Sequence, residues 1–192
     1  MDTDRIDRAL RRALIELAAG TDAAHVPTST LVRKAGIGRT TFYRRHRSGA
    51  DYVETLRRDV LAELERAFRG AQREAGIDDG LYPVLTHRVH AVLSIVQHNA
   101  ELLRLLCRGA TGSVFRGRCR ALLADLLAED FTKLGTRIDA AYCPPEYVLA
   151  FLAHAAFGAA AAWLAKPQPE PIDEMTFYLV SLMSGNTADF LE

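Results

Sequence analysis

Cysteine is scarce in the 192-residue chain, and what there is does not pair. Cys107, Cys119 and Cys143 are widely spaced and form no CxxC motif, a pattern that suits a reducing cytoplasm better than a disulfide framework. Catalytic signatures are missing as well. The chain contains no GxSxG, GxxxxGK(S/T) or HExxH, so the nucleophile elbow, phosphate loop and zinc helix of common enzymes are absent and the chain reads as a non-enzyme. No run reads as a β-strand, no repeat recurs, and no long linker interrupts the pattern. The opening MDTDRIDRAL is charged from its second residue and lacks the apolar core of a signal peptide. The most apolar stretch, Tyr147 to Ala165, is interrupted by His154 and dominated by alanine and glycine. It fits a buried or subunit-facing helix better than a membrane span. Lysine is nearly missing too, 3 against 21 arginines, which hints at a GC-rich bacterial genome and says nothing about fold.

What is present is apolar bulk and a skewed charge. Hydrophobic residues make up 49% of the chain, enough to bury a sizeable core. The net charge is zero overall, yet residues 1–69 carry 14 basic against 10 acidic side chains and residues 70–192 carry 10 against 14. The positive excess lies almost entirely before residue 50. Such asymmetry points to a basic functional module on a neutral or acidic body.

Nearly everything else reads as helix. Asp4 to Ala19 sets Ile6, Leu10, Ala13, Leu14 and Leu17 at three- and four-residue steps and ends at Gly20. After the loop TDAAHVP, Thr28 is placed to cap a short helix that stops at Gly36. GIGR is a tight turn, and Thr40 to His46 makes a helix of about two turns. SGAD at Ser48 is a Ser-x-x-acid capping signature opening a long helix along Tyr52, Leu56, Val60, Leu64 and Phe68. Beyond the loop Gly76 to Gly80, helices are expected at Leu81–Gln97, Ala100–Cys107, Val114–Leu134, Glu146–Lys166 and Ile172–Ser184, with breaks at RGATGS, the proline turn YCPPE and KPQPEP. The expected architecture is all-α with about nine helices. An N-terminal three-helix helix-turn-helix domain occupies residues 1–48, a connecting long helix 49–69, and a larger helical body 70–192.

The stretch AGIGRTTFYRRHRSGADY carries the chemistry. Six cations lie between Arg33 and Arg47 with no carboxylate among them, although a solvated helix face usually mixes its signs. Two short helices joined by GIGR form a helix-turn-helix unit whose second helix can enter the major groove of DNA. Arg39 suits the O6 and N7 of guanine. Thr40 and Thr41 offer hydroxyls and methyls for mixed base edges. Arg44, Arg45 and Arg47 lie where the helix leaves the groove and can hold phosphate, as can the Tyr43 hydroxyl. Thr28 and Ser29 open the preceding helix and put hydroxyls and N–H groups at its positive dipole end, a second phosphate clamp. Phe42 should point inward.

TLVRKAGIGRTTFYRRH followed by a capped long helix resembles the DNA-binding domain of the TetR (tetracycline-repressor-like) family. The matching features are the Ala-Gly before the turn, the small residue-Arg-x-Thr-Phe-Tyr core and the Arg/His end. The match covers about residues 5–65; beyond it only helix number and spacing agree. The resemblance implies a homodimeric, cytoplasmic transcriptional repressor on a near-palindromic double-stranded DNA operator. It also implies a C-terminal domain that dimerises and binds a small-molecule inducer of unknown identity; from the residues themselves no cofactor, metal or membrane partner is expected. Carried across, Arg39, Thr40, Thr41, Tyr43 and Arg45 become DNA contacts of the recognition helix, with Thr28 and Ser29 contacting from the helix before it. Two positions depart from the pattern. His46 stands where an inward apolar or aromatic residue is usual, and Gly49 where many members place a phosphate-binding lysine.

The body is less explicit. The small-residue run AHAAFGAAAAWLA allows close helix approach, so the last two long helices are the expected two-fold interface, with Phe157, Gly158, Ala159, Ala160, Trp163, Phe177, Val180 and Met183 as candidates. The alternative is packing inside one chain. His87 and His90 sit three residues apart without a convincing third ligand, and Cys107 shows no sign of thiolate activation. A largely apolar ligand cavity has Leu85, Val89, Leu93, Leu103, Cys107, Phe115, Cys119, Leu122, Leu126, Phe151 and His154 as candidate lining, each equally an ordinary core residue. The rival readings are a helical interaction module, which leaves the basic turn unexplained, and an enzyme, which lacks any catalytic arrangement.

Overall fold

The apolar stripe beginning at Ile6 forms α1, Thr3–Leu17, and buries Ile6, Leu10, Ala13 and Leu14. The computed structural model describes residues 3–71, 81–133 and 143–187, and among these there is no strand. The expected loop Gly76–Gly80, Leu134 and Tyr142 lie outside the described residues.

Where the sequence is read as plain loop, Ala23–His25 forms one 3₁₀ turn, capped by the Asp22 carboxylate accepting from the Ala24 N–H. Helix α2, Thr28–Ala35, ends at Gly36 with φ 65°, a left-handed cap conformation in which a side chain would be strained. Helix α3 is shorter than its pattern suggests, Arg39–Tyr43. Helix α4 spans Gly49–Gly70. The Ser48 hydroxyl accepts from the Asp51 N–H, and the Asp51 carboxylate accepts from the Arg47 N–H, so the capping signature works as read.

Helices α5, Leu81–His98, and α6, Ala100–Leu106, follow the expected periodicity. Helix α7, Gly109–Lys133, begins five residues before the expected Val114. The break falls at Gly109 itself, φ 69°, and ATGS is already helical. Helix α8, Pro145–Ala165, and α9, Ile172–Thr187, complete the chain. Alone among the described helices, α8 is long and apolar enough to cross a membrane by length and composition. Val148, Leu152, Ala153 and Trp163 along it are buried, and the Trp163 indole N–H donates to the Glu170 carbonyl.

The chain divides into two compact units. The first comprises residues 1–60 together with 99–117. Its core holds Leu10, Leu14, Leu31, Phe42 and Val53, all essentially inaccessible, and the later segment adds Leu102, Leu106 and Phe115. Polar contacts fasten that segment in place. Thr111 donates its hydroxyl to Asp22, 2.8 and 2.9 Å from the two carboxylate oxygens, and accepts from the Arg57 guanidinium at 2.8 Å. Arg57 also donates to the Leu106 carbonyl, Arg108 to that of Ala19, and Arg11 to the Asn99 side chain. Burial alone would raise the Asp22 carboxyl, but its hydrogen bonds from Thr111 and Ala24 outweigh that and hold it below its usual range. The second unit comprises residues 61–98 and 118–192. Phe68, Leu126, Leu127, Phe131, Val148, Leu152 and Met183 form its core, and Arg88 is buried against the Phe68 ring and paired with Asp130.

Candidate nucleic-acid interface

A short helix keeps its orientation only if something pins it. Phe42, fully buried, does this for α3. Its ring meets His46 at 5.3 Å and Tyr52 at 6.3 Å between centroids, and His46 lies 4.9 Å from Tyr52. His46 therefore supplies the inward aromatic ring that the family pattern calls for. Its Nδ1 is buried without a partner, as is the Tyr52 hydroxyl. Burial lowers the His46 pKa and raises that of the Tyr52 phenol, so burial favours the uncharged form of both rings beneath the helix.

With Phe42 inside, Arg39, Thr40, Tyr43 and Arg44 face outward and are exposed, Tyr43 by 55%; Thr41 is half-buried. The six cations are not all free. Lys34 pairs with Glu16 at 2.8 Å, and Arg45 grips Asp7 with contacts of 2.8 and 3.4 Å. Both partners come from α1, more than fifteen residues away in sequence, which is why a local count of charges misses them. Arg33, Arg39, Arg44 and the Arg47 side chain have no acidic partner among the described residues. Ser29, Thr30, Val32, Arg33, Ile37 and Arg39 line a hollow of about 440 Å³ where α2 meets the start of α3.

Thr28 is used differently from expectation. Pro27 precedes α2 and gives no side-chain cap; the Thr28 hydroxyl instead accepts from the Gly49 N–H at 2.7 Å, so it caps α4. Gly49 is buried, and a Cβ there would stand 2.9 Å from the Val26 carbonyl oxygen. Close packing of α4 on that carbonyl explains why this chain has no side chain where the family pattern often has lysine.

The second unit contains a cavity of about 710 Å³. Arg66, Ala67 and Ala71 lie on its α4 side, Tyr82, His87 and His90 on α5, and Asp173, Thr176 and Phe177 on α9. His87 Nδ1 is 2.9 Å from the Pro83 carbonyl and His90 Nε2 is 3.3 Å from Asp173. Elsewhere on this unit, Tyr147, Phe151, Tyr178 and Leu182 leave large apolar surfaces exposed on α8 and α9.

No family model and no curated protein matches the chain. Solved structures do. A TetR-family regulator from Syntrophomonas wolfei superposes with a TM-score of 0.74 over 97% of both chains at 12% identity. The fatty acid degradation regulator FadR from Bacillus halodurans gives 0.70 over 96% of this chain and 97% of that one at 15%. A TetR-like regulator from Rhodococcus sp. RHA1 gives 0.66 over 98% of both at 18%. The chain has the TetR-family fold.

Within the TetR fold, the residues expected from sequence to contact DNA lie at the start of α2, on α3 and just past it. The eleven cavity candidates do not gather. Leu103, Cys107 and Phe115 lie in the first unit, where burial raises the Cys107 thiol. Leu85, Leu122 and Leu126 belong to the second unit's core packing; Leu93 is buried, Val89 and Cys119 half-buried, and Phe151 and His154 exposed. None of the eleven lines the 710 Å³ cavity. Its polar lining, Arg66, His87, His90 and Thr176, is what an apolar-residue search passes over. Of the interface candidates, Trp163, Val180 and Met183 are buried within this chain, Phe157, Ala159 and Ala160 are half-buried, and Gly158 and Phe177 face outward.

Proposed function

We propose that this chain is a cytoplasmic DNA-binding transcriptional regulator, a homodimeric repressor that leaves a near-palindromic operator when a small, largely apolar molecule binds. The observation that carries the reading is the outward face of α3. Arg39, Thr40, Tyr43 and Arg44 stand exposed on a one-turn helix locked from beneath by Phe42, with no acidic side chain paired to either arginine. Helix entry into the major groove needs such an arrangement, with base-reading groups near the start of the helix and phosphate-holding cations around it. The three matched regulators support it by fold.

Dimerisation is supported by the outer faces of α8 and α9. Tyr147, Phe151, Ala155, Gly158 and Ala162 repeat every three or four residues along α8, and all are exposed. An apolar stripe of this kind on a single chain calls for a partner. The effector response is supported by the cavity, whose size falls within the range of small-molecule sites, and by α4, which contributes residues to both units. Selecting genomic fragments with the purified protein, followed by footprinting, tests the reading. Enrichment of a short sequence with two-fold symmetry is the expected result. Retention of bulk DNA with no sequence enriched would leave only an unspecific basic surface.

A further inference from the structure

The cavity in the second unit carries a chemical signature beyond its size. Arg66 lines it and makes no ion pair or hydrogen bond among the described residues. The other cations of this unit whose side chains are described are engaged: Arg69 with Glu65 and Glu129, Arg88 with Asp130, Lys166 with Glu170, Arg120 over the Phe157 ring, and Arg118 likewise in contact. Thr176, 3% exposed, lines the same cavity, and its hydroxyl has no hydrogen-bond partner. Four other helical hydroxyls, those of Thr55, Thr86, Ser94 and Thr132, return to the carbonyl four residues back. Thr176 does not. A buried donor left unmatched is costly unless something supplies an acceptor.

The remaining wall fixes the rest of the molecule. Ala67, Ala71 and Ala91 present only methyl groups, while the rings of Tyr82 and Phe177, 49% and 59% exposed, offer flat apolar surface. Asp173 stands in the same wall beside His90, so a doubly charged phosphate would meet stronger like-charge repulsion there than a singly charged carboxylate does. We infer that the cavity binds a small aromatic carboxylate, its acid group taken by Arg66 and the Thr176 hydroxyl and its ring by Tyr82 and Phe177. The assignment names the class of the effector proposed above and rests on that reading only for its regulatory meaning, because binding itself needs no DNA.

The test is calorimetric titration of the full-length protein, without DNA, with benzoate and 2-naphthoate against their neutral amides. The acids are expected to bind about tenfold or more tighter than the amides, the gain of a charge-assisted contact over a neutral one. Arg66→Gln should abolish that preference, weakening the acids about tenfold or more and the amides far less; Arg66 is exposed and unpaired, so its loss leaves the fold intact. Thr176→Val, of the same shape, should weaken the acids about fivefold. Phe177→Ala should weaken acid and amide alike. Equal binding of acid and amide, persistence of the preference in Arg66→Gln, or no binding by a protein of unchanged circular dichroism would overturn the assignment. Operator selection is scored separately, so failure here leaves the DNA-binding reading standing, and failure there leaves this one.

Discussion

Arg39 and Arg47 carry the same charge eight residues apart and are expected to do different work. Arg39 is the first residue of α3, where a guanidinium can meet a base edge. Arg39→Ala should lose about 1–3 kcal/mol on the preferred sequence and relax selectivity at one base pair. Arg47 lies past the helix, its N–H held by Asp51, and its free side chain suits phosphate. Arg47→Ala should weaken binding on all sequences and reduce the slope of log affinity against log salt by about one. Binding isotherms at several salt concentrations separate the two. His46 makes a different prediction. Its folded pKa is lowered, chiefly by burial, so below the unfolded value of about 6.5 the unfolded chain takes up a proton that the folded unit resists. Stability is then unaffected by this group above that pH and falls as pH drops below it. His46→Phe keeps the ring and removes the proton site. Denaturant midpoints between pH 5 and 8 should show a shallower acid loss in the variant. At this scale the sequence displays every charge but not its partner: Asp7 and Glu16 neutralise Arg45 and Lys34 only because α1 folds back beside them.

Helices are more legible than contacts because periodicity is local. The stripes of α1, α4 and α5 and the stop at Gly36 follow from spacing and capping chemistry within a few residues. The elements that differ from expectation are set by distant groups. Helix α7 starts early because Thr111, within a stretch rich in turn formers, is held by Asp22 and Arg57. Thr28 caps α4 rather than its own helix because Gly49 comes to it from twenty-one residues on. The cavity was not legible for the same reason: its walls come from α4, α5 and α9. A further test lies on α8. A Cβ at Gly158 would meet nothing within 4 Å in the monomer, and arginine is a better helix former than glycine by several tenths of a kcal/mol or more. Gly158→Arg is therefore expected to keep or slightly raise monomer stability while abolishing the dimer and weakening operator binding. Sedimentation shows the first effect and a DNA-binding isotherm the second; an intact dimer would place the interface elsewhere.

For the whole molecule, the proposed effector and operator would act through one protein, and their effects on each other would then have to be equal. If an effector weakens operator binding by a given factor, the operator must weaken effector binding by the same factor, typically 5–150-fold. Titrating effector with and without saturating operator checks this, and identical affinities in the two titrations would remove the coupling. The unit holding α3 is closed by residues 99–117, which supply Thr111 to Asp22 and Asn99 to Arg11. During synthesis from the N-terminus the first sixty residues emerge well before this closing segment. The nascent chain thus passes through a stage with Asp22, Arg57 and much apolar surface unmatched, and a ribosome stalled before residue 99 would present a basic helical arm that has yet to close into a folded unit.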